Sequence, residues 1–207
     1  MSAEPEAFIR QRCVPTPLPF RPDIALYRPT PHSGLAAWLA ERGRADTPPY
    51  WAYAWAGGAA LALYLRDRPE TVAGRSVVDF GAGSGLVGIA AARAGAARIW
   101  AVEPDPVALA ALALNAEANG VALEPWPGPG LPEAGVVLAG DVFYGPAVAR
   151  RTLPPLTAAA RRGATVLVGD PFRADLPLDR LRLLAGYEVP DMGGDGPVRA
   201  AVFALRP

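Results

Sequence analysis

Short apolar runs alternate with segments of helical period along most of the chain after residue 75. The pattern predicts strands at residues 76–80, 98–102, 136–140 and 164–169, with a weaker one at 121–126. It predicts helices at residues 85–95, 105–119, 146–161 and 177–185. Such alternation is typical of a mostly parallel sheet with helices on both faces, an α/β fold. Two final strands, near 187–189 and 198–205, have no helix between them and predict an antiparallel hairpin at the sheet edge.

The first 75 residues follow a different pattern. Residues 1–32 are rich in proline and are predicted to be irregular, apart from a short strand near residues 24–27. Ser33 is a candidate cap for a short helix over 34–42, and an unusually aromatic segment begins a helix predicted over 51–67. We therefore expect an N-terminal extension, residues 1–50, packed on one globular domain, residues 51–207.

Composition narrows the class of protein. The 207 residues are 51% hydrophobic, which is enough to fill one core, and 20 basic residues balance 20 acidic ones. The balance predicts no nucleic-acid partner. The longest apolar stretch, residues 51–65, is interrupted by glycine and too short to span a membrane, and no signal peptide is predicted. A single cysteine, Cys13, is typical of a cytoplasmic protein, which we expect to be monomeric. Because His32 has no ligand partner at suitable spacing, no metal site is expected.

Two glycine fingerprints overlap in VVDFGAGSGLVGIAAARAGAARIWAVEPD, residues 77–105. Gly83 to Gly88 matches G-x-G-x-x-G, the dinucleotide pattern, but four residues separate Gly83 from the apolar core of the strand. Read from Asp79, the same stretch is D-x-G-x-G-x-G, which suits S-adenosylmethionine. That cofactor has no phosphate but carries an ammonium, which a carboxylate at a strand tip can hold while glycines let the backbone approach. Beside a pyrophosphate, Asp79 would be an unwelcome negative charge.

The cofactor contacts predicted from this segment lie in two places. The first is the loop Gly81, Ala82 and Gly83, together with Asp79. The second is Glu103 with Pro104, where Glu103 lies 18 residues beyond Gly85 at the tip of the next strand. Its carboxylate can accept hydrogen bonds from both ribose hydroxyls of either cofactor. Chain length favours S-adenosylmethionine, since 207 residues leave little room for a dinucleotide domain and a separate substrate domain.

The segment PPYWAYAWAGGAALALYLRDRPETVAGRSVVDFGAGSG resembles the electron transfer flavoprotein β-subunit lysine methyltransferase family, which includes bacterial members. The resemblance continues through LNAEANG, VVLAGDVFYGP and VLVGDPFR and covers most of residues 22–205. It implies a class I, Rossmann-like methyltransferase fold with seven strands. The implied activity is methylation of lysine ε-amino groups on a protein, with the electron transfer flavoprotein β subunit favoured and a ribosomal protein next.

The resemblance also implies roles for the segment Asp141-Val142-Phe143-Tyr144, a D-x-x-Y motif after the fourth strand. Asp141 is expected to contact the target lysine, and Tyr144 to complete the catalytic motif at the rim of the site. A carboxylate that orients the amine and helps a proton leave suits this chemistry. A second role for Asp141, capping the following helix, is compatible with the first.

Five further residues have more than one interpretation. Trp51 and Trp55 both suit the core, but the resemblance implies that Trp55 lies beside the methionine arm of the cofactor. Asp170 and Arg173, in GDPFR, suit the substrate rim, an internal salt bridge or a loop anchor. The family usually has an acidic residue after strand three that binds the adenine amino group, and here no acid lies between Trp126 and Leu131. Trp126 is therefore the candidate platform for adenine, its alternative being a core residue at the strand end.

Three other functions stay open at this point. A small-molecule amine methyltransferase would enclose its acceptor under a lid, whereas a protein methyltransferase needs an open rim around Asp141. A non-catalytic module would bind S-adenosylmethionine without turnover. A nicotinamide-dependent oxidoreductase would bind the dinucleotide instead.

Overall fold

The structure is a computed structural model that describes residues 3–190 and 196–207. Its strands are β1 (Cys13–Leu18), β2 (Arg21–Pro29), β3 (Ser76–Phe80), β4 (Arg98–Val102), β5 (Glu124–Pro125), β6 (Val136–Gly140), β7 (Thr165–Asp170), β8 (Leu181–Pro190) and β9 (Pro197–Leu205). Its α-helices are α1 (Ala3–Arg12), α2 (Leu35–Ala40), α3 (Ala56–Asp67), α4 (Leu86–Arg93), α5 (Pro106–Ala118) and α6 (Pro146–Arg161). Within these ranges, the helices are too short or too polar to cross a bilayer.

Seven strands form the main sheet in the order β5-β4-β3-β6-β7-β9-β8. The first five run parallel, and β9 pairs antiparallel with both β7 and β8. The predicted sheet and its edge hairpin are therefore confirmed. Strand order reverses between β3 and β6, and in open α/β sheets the crevice at such a reversal is where ligands bind.

Alternate residues of the central strands pack against helices on opposite faces of the sheet. Val77 belongs to the core under α3 and α4, whereas its neighbour Val78 belongs to the core under α6. This two-sided burial explains why the parallel strands are continuous apolar runs.

The N-terminal segment is more regular than its composition predicts. Helix α1 and the hairpin β1–β2 occupy residues predicted to be irregular, apart from the strand near residues 24–27, which is part of β2. Pro15 and Pro17 lie within β1 and are exposed, and they are tolerated because β1 pairs with one strand only. Proline density was therefore a misleading signal in this hairpin.

Two asparagines in LNAEANG, Asn115 in α5 and Asn119 directly after this helix, attach β2 to the rest of the protein. Asn115 accepts a hydrogen bond from the Tyr27 amide at 2.7 Å, and Asn119 accepts one from the Ala25 amide at 3.0 Å. Asn115 also donates to the Ser84 carbonyl in the glycine loop at 2.8 Å. These hydrogen bonds connect the glycine loop, α5 and the hairpin to one another. The Asn115 side chain is fully buried, where an unpaired amide would be costly.

The helix predicted over residues 177–185 is wrong. One 3₁₀ turn, Leu178–Arg180, precedes β8, which pairs with β9 along its whole length. The leucine spacing that suggests a helix face does not match burial, since Leu183 is 57% exposed on this edge strand. Pairing with β9 overrides the local preference.

Helix α3 begins five residues later than predicted, after a separate 3₁₀ turn at Tyr50–Ala52. Its first turn lies directly on the ends of β6 and β7. A β-carbon added at Gly57 would lie only 2.1 Å from the Gly169 carbonyl oxygen and 2.9 Å from the Asp141 amide nitrogen. Glycine is therefore needed at residue 57 so that the helix can approach the two strands.

Replacing Gly57 with alanine is expected to lower the free energy of unfolding by about 1–3 kcal/mol, because the new methyl group must push α3 away from backbone atoms. Gly58→Ala is the matched control: the nearest atom to its added β-carbon is a Val87 methyl at 3.5 Å, an ordinary contact. Both substitutions replace glycine with alanine in the first turn of α3, so they increase the helix propensity by the same amount. Chemical denaturation of the two variants measures the difference, and equal stability would contradict the close approach of α3.

Candidate active site

A cavity of about 800 Å³ opens at the carboxyl ends of β3, β4 and β6. The structure brings all ten of the predicted site residues to its wall: Trp55, Asp79, Gly81, Ala82, Gly83, Glu103, Pro104, Trp126, Asp141 and Tyr144. Four acidic side chains mark the ends of neighbouring parallel strands, from Asp79 and Glu103 to Asp141 and Asp170. No cluster of metal-ligating residues occurs in the described part of the chain.

The glycine loop between β3 and α4 uses the left-handed backbone region three times. Gly81, Gly83 and Gly85 have φ angles of 70°, 52° and 78°, which residues with a β-carbon rarely adopt. The Gly81 amide donates to the Val102 carbonyl at 2.9 Å, so the loop folds back against the end of β4. This brings loop backbone, rather than side chains, to the cavity wall.

Asp79 lies at the end of β3 and is 1% exposed. Its Oδ2 accepts a hydrogen bond from the Gly88 amide, in the first turn of α4, at 2.8 Å. A β-carbon at Gly88 would be 3.1 Å from this oxygen, so the last glycine of the G-x-G-x-x-G match makes room for a carboxylate. Burial raises the pKa of Asp79 to about 7, against the lowering effect of the Gly88 hydrogen bond.

Glu103 follows β4 and fixes the glycine loop. Its Oε2 accepts a hydrogen bond from the Gly83 amide at 2.8 Å, and its Oε1 accepts one from the Asp105 amide at 2.9 Å. Burial raises the pKa of Glu103 above its ordinary value. Each oxygen retains a lone pair that can accept from a ligand hydroxyl group.

Asp141 follows β6 in a left-handed conformation, with φ of 58°. Its amide donates to the Gly169 carbonyl at 2.9 Å, and its Oδ2 accepts from the Gly58 amide in the first turn of α3 at 2.7 Å. The predicted capping of the following helix is wrong: α6 begins after Gly145, and Asp141 binds the N-terminal turn of α3 instead. Asp79 and Asp141 thus make the same kind of contact: each carboxylate accepts a hydrogen bond from the first turn of a helix, α4 for Asp79 and α3 for Asp141. A helix N-terminus favours a negative charge at this position.

Asp170 and Arg173 form the internal salt bridge that was one of their interpretations, and the bridge extends to Asp141. The Arg173 guanidinium lies 2.7 Å from Asp141 Oδ1 and 3.0 Å from Asp170 Oδ2. Arg173 also lines the cavity, so the second interpretation, a place at the rim, is compatible with the first.

Aromatic side chains surround the mouth of the cavity. Tyr144 is 47% exposed, and its ring lies 5.0 Å from that of Tyr50. Trp55 lines the wall and donates from Nε1 to the Tyr50 carbonyl at 2.8 Å. Trp51 also lines the cavity, but it is 1% exposed and belongs to a core cluster with Val107 of α5. The rings of Tyr50 and Tyr144 at the mouth are partly exposed to solvent, and the hydrogen bond to the Tyr50 carbonyl fixes Trp55.

Trp126 forms part of the wall between β5 and the following loop. Its ring is half-buried and lies 5.2 Å from the Trp100 ring in an edge-on arrangement. Its indole Nε1 is buried and has no hydrogen-bond partner among the described residues. Trp126 is thus both a packing residue at the strand end and a surface of the cavity.

If Trp126 carries the adenine ring, Trp126→Ala should weaken S-adenosylmethionine binding by about 5- to 150-fold, the usual cost of one lost stacking contact. Trp126→Phe retains an aromatic face and should bind within about fivefold of wild type. Isothermal titration calorimetry of the three proteins checks this. Equal affinity of the alanine variant would place adenine elsewhere in the cavity.

Sequence reasoning missed the wall that α6 contributes. Val148, Arg151, Thr152 and Pro155 line the cavity, yet no motif marks them. Their helical spacing, on one side of α6, was the only available signal. Tyr50 was within the aromatic segment that the sequence singled out but was not assigned to the site.

Comparison with known proteins places these features in a family. Residues 60–126 match the family model described as ribosomal protein L11 methyltransferase (PrmA). The chain is 36% identical over 205 residues to the electron transfer flavoprotein β-subunit lysine methyltransferase of Xenopus laevis, covering 90% of this chain and 80% of that protein. It is 39% identical over 153 residues to the protein of the same name from Danio rerio, covering 69% of this chain and 59% of the relative.

A solved structure of a 16S ribosomal RNA guanine methyltransferase from T. thermophilus, in complex with S-adenosylmethionine and guanosine, is also similar. The match has a TM-score of 0.52 and 25% identity, and it covers 73% of this chain and 43% of that chain. Together with the seven-stranded sheet, this likeness shows a class I methyltransferase fold.

Proposed function

Because the chain belongs to the electron transfer flavoprotein β-subunit lysine methyltransferase family and is a methyltransferase, we propose that it methylates the ε-amino group of lysine in a protein substrate. The cofactor of the proposed reaction is S-adenosylmethionine. The observation that carries the proposal is the placement of three carboxylates, Asp79, Glu103 and Asp141, around one cavity. Asp79 and Glu103 are proposed to bind two parts of the cofactor, and Asp141 is proposed to bind the acceptor amine.

The cavity residues fit the proposed cofactor. Asp79 suits the ammonium of its methionine arm, and Glu103 suits the two ribose hydroxyls, because both carboxylates are held by backbone amides. Trp126 offers a flat surface for adenine, and Trp55 lies on the wall proposed for the methionine arm. Gly81 and Gly83 let the loop backbone approach closely.

Asp141 is proposed to orient the acceptor amine. When bound, S-adenosylmethionine supplies an electrophilic methyl group, which a neutral lysine nitrogen attacks while the carbon–sulfur bond breaks towards sulfur. The chain's own contribution is to align the amine with a carboxylate and to keep bulk water away, so much of the acceleration comes from orientation. No nucleophile of the enzyme is required, and Tyr144 is proposed to complete the rim beside the amine.

An acceptor in a protein suits the shape of the mouth. The Asp141 side chain is 11% exposed, within reach of a thin side chain such as lysine, while Tyr144 and Tyr50 remain open to solvent. The electron transfer flavoprotein β subunit is the favoured substrate, from the names of the relatives. A ribosomal protein is the second candidate, from the matched family model. We further propose that the protein works as a monomer in the cytoplasm.

The test is to incubate the purified enzyme with radiolabelled S-adenosylmethionine and, separately, with purified electron transfer flavoprotein and with ribosomal protein. Lysate from a bacterium serves as the broad screen. The chain contains no lysine, so self-labelling of side-chain amines gives no background. A labelled protein band, with methyllysine found in it by mass spectrometry, supports the proposal. Calorimetric binding of S-adenosylmethionine without label on any protein would contradict it.

A further inference from the structure

One guanidinium joins two acidic residues beside the acceptor position. Arg173 donates from one nitrogen to Asp141 Oδ1 at 2.7 Å and to Asp170 Oδ2 at 3.0 Å. The backbone amide of Arg173 donates to the other oxygen of Asp170 at 2.7 Å. Asp141 is held on its far side by the Gly58 amide. The three charges are therefore fixed by backbone as well as by each other.

The two carboxylates differ in their surroundings. Asp170 is fully buried, whereas Asp141 faces the cavity. Burial raises the pKa of Asp170 above its ordinary value. Burial opposes the charge of Arg173, but attraction to Asp141 and Asp170 outweighs it and raises the Arg173 pKa, so the guanidinium stays charged. One cation is thus shared between a buried anion and an anion at the site.

We propose that the Arg173–Asp170 pair sets how much negative charge Asp141 presents to the acceptor lysine, which makes Arg173 a positioning residue for methyl transfer. This inference rests on the proposed function and adds how the charge at the same site is set. Arg173 contacts Asp141 and acts through it, rather than on the methyl group.

Methyl transfer to lysine requires that the negative charge of Asp141 be partly offset. Lysine has an ordinary pKa of about 10.4 and must lose a proton to become a nucleophile. An unpaired carboxylate beside it would bind the ammonium tightly and raise that pKa further. The guanidinium offsets this attraction, so that the Asp141 oxygens still accept a hydrogen bond and orient the amine while the proton can leave to solvent. Other charged or titratable groups on the cavity wall are Asp79, Glu103, Asp105, Arg151, Tyr50, Tyr53 and Tyr144.

Arg173→Gln removes the cation but retains hydrogen-bond donors. The rate of methylation at saturating substrate rises with pH as the bound amine loses its proton. In the Arg173→Gln variant this rise should move to higher pH by about one unit, since a unit charge at this distance contributes an effect of that order. The variant should therefore lose about tenfold in kcat near pH 8 and recover most of it near pH 10. Its KM for the protein substrate should not increase.

Asp170→Asn is the matched opposite change. Its amide oxygen can still accept from the Arg173 backbone, but the guanidinium then pairs with Asp141 alone. The pH at which activity rises should move down rather than up, and KM for the protein should increase. Arg173→Lys restores the cation and should return the profile towards wild type. Because it introduces the only lysine side chain, its intact mass is checked for self-methylation.

The measurement is kcat and KM for the electron transfer flavoprotein β subunit, or for the labelled protein that the screen identifies, between pH 6.5 and 10. Thermal unfolding of each variant distinguishes an effect on catalysis from a loss of folded protein. Shifts of opposite sign for Arg173→Gln and Asp170→Asn support the inference. Equal loss at every pH, as a purely structural role would give, or unchanged profiles would overturn it. If the wild-type enzyme labels no protein, the proposed function fails instead.

Discussion

Asp141→Asn is expected to lower kcat for protein methylation by at least about 100-fold, the usual contribution of a group that manages a proton in the reaction. The affinity for S-adenosylmethionine should not change, because the proposed cofactor contacts of the chain lie on Asp79, Glu103 and the glycine loop. The KM for the protein should increase because the amide cannot attract the ammonium, but the larger loss should appear in kcat because the amide cannot help the proton leave.

Asparagine is the suitable replacement for structural reasons. Asp141 has φ of 58°, a conformation that asparagine adopts more readily than alanine. The amide oxygen can accept from the Gly58 amide as the carboxylate does, and Arg173 keeps Asp170 as a partner. The variant therefore changes charge with little strain, whereas Asp141→Ala would also lose the contact with α3.

Asp179→Asn makes the same chemical change on the surface, at an exposed residue of the 3₁₀ turn before β8, and should retain full activity. Rates come from initial-velocity assays with radiolabelled S-adenosylmethionine, and calorimetry gives the affinity. Retention of more than about a tenth of wild-type kcat by Asp141→Asn would show that Asp141 only anchors α3 to the sheet.

The central part of the fold is predictable because each local signal agrees with the tertiary structure. Strands β3 and β6 are apolar runs that are buried on both faces, and the positive φ angles of Gly81, Gly83 and Gly85 require glycine. Parallel strands place their carboxyl ends at one edge of the sheet. Asp79, Glu103 and Asp141 can therefore be assigned to one cavity from the sequence alone.

Other parts depend on long-range contacts that no local pattern encodes. Strand β8 forms where helical spacing is present, because β9 pairs with it. The contact of Arg173 with Asp141 joins residues 32 apart in sequence, and the GDPFR segment alone suggests only the closer bridge to Asp170. The need for glycine at residue 57 is likewise a long-range effect, because α3 approaches the backbone at the ends of β6 and β7 there.

Binding of S-adenosylmethionine is expected to depend on pH through Asp79. In the ligand-free protein, burial raises the Asp79 pKa to about 7, so the carboxyl is protonated below that pH. The ammonium of the cofactor favours the ionised carboxylate, and binding below pH 7 must therefore release a proton. Affinity should rise with pH up to about 7 and fall again as the α-amino group of the ligand loses its own proton, ordinarily near 7.7–8.0.

Asp79→Asn should lower the affinity for S-adenosylmethionine by about 10- to 100-fold at pH 7.5, because a charged hydrogen bond is lost. It should also abolish proton release, measured by calorimetry in buffers of different ionisation enthalpy. The control ligand is 5′-methylthioadenosine, which lacks the amino-acid arm and should bind both proteins equally at every pH. Unequal binding of this control would show that the substitution disturbs the whole cavity.

The same substitution should stabilise the ligand-free protein. A carboxyl whose pKa is raised on folding contributes full stability below its unfolded value, near 3.9, and that stability is lost as pH rises through about 7. Relative to wild type, Asp79→Asn should gain up to roughly 4 kcal/mol in free energy of unfolding at pH 8, and much less at pH 4. Denaturation at both pH values measures the difference. A variant that binds the cofactor worse yet folds more stably at pH 8 would indicate that the buried charge is retained for the ligand, whereas lower stability at both pH values would contradict that role.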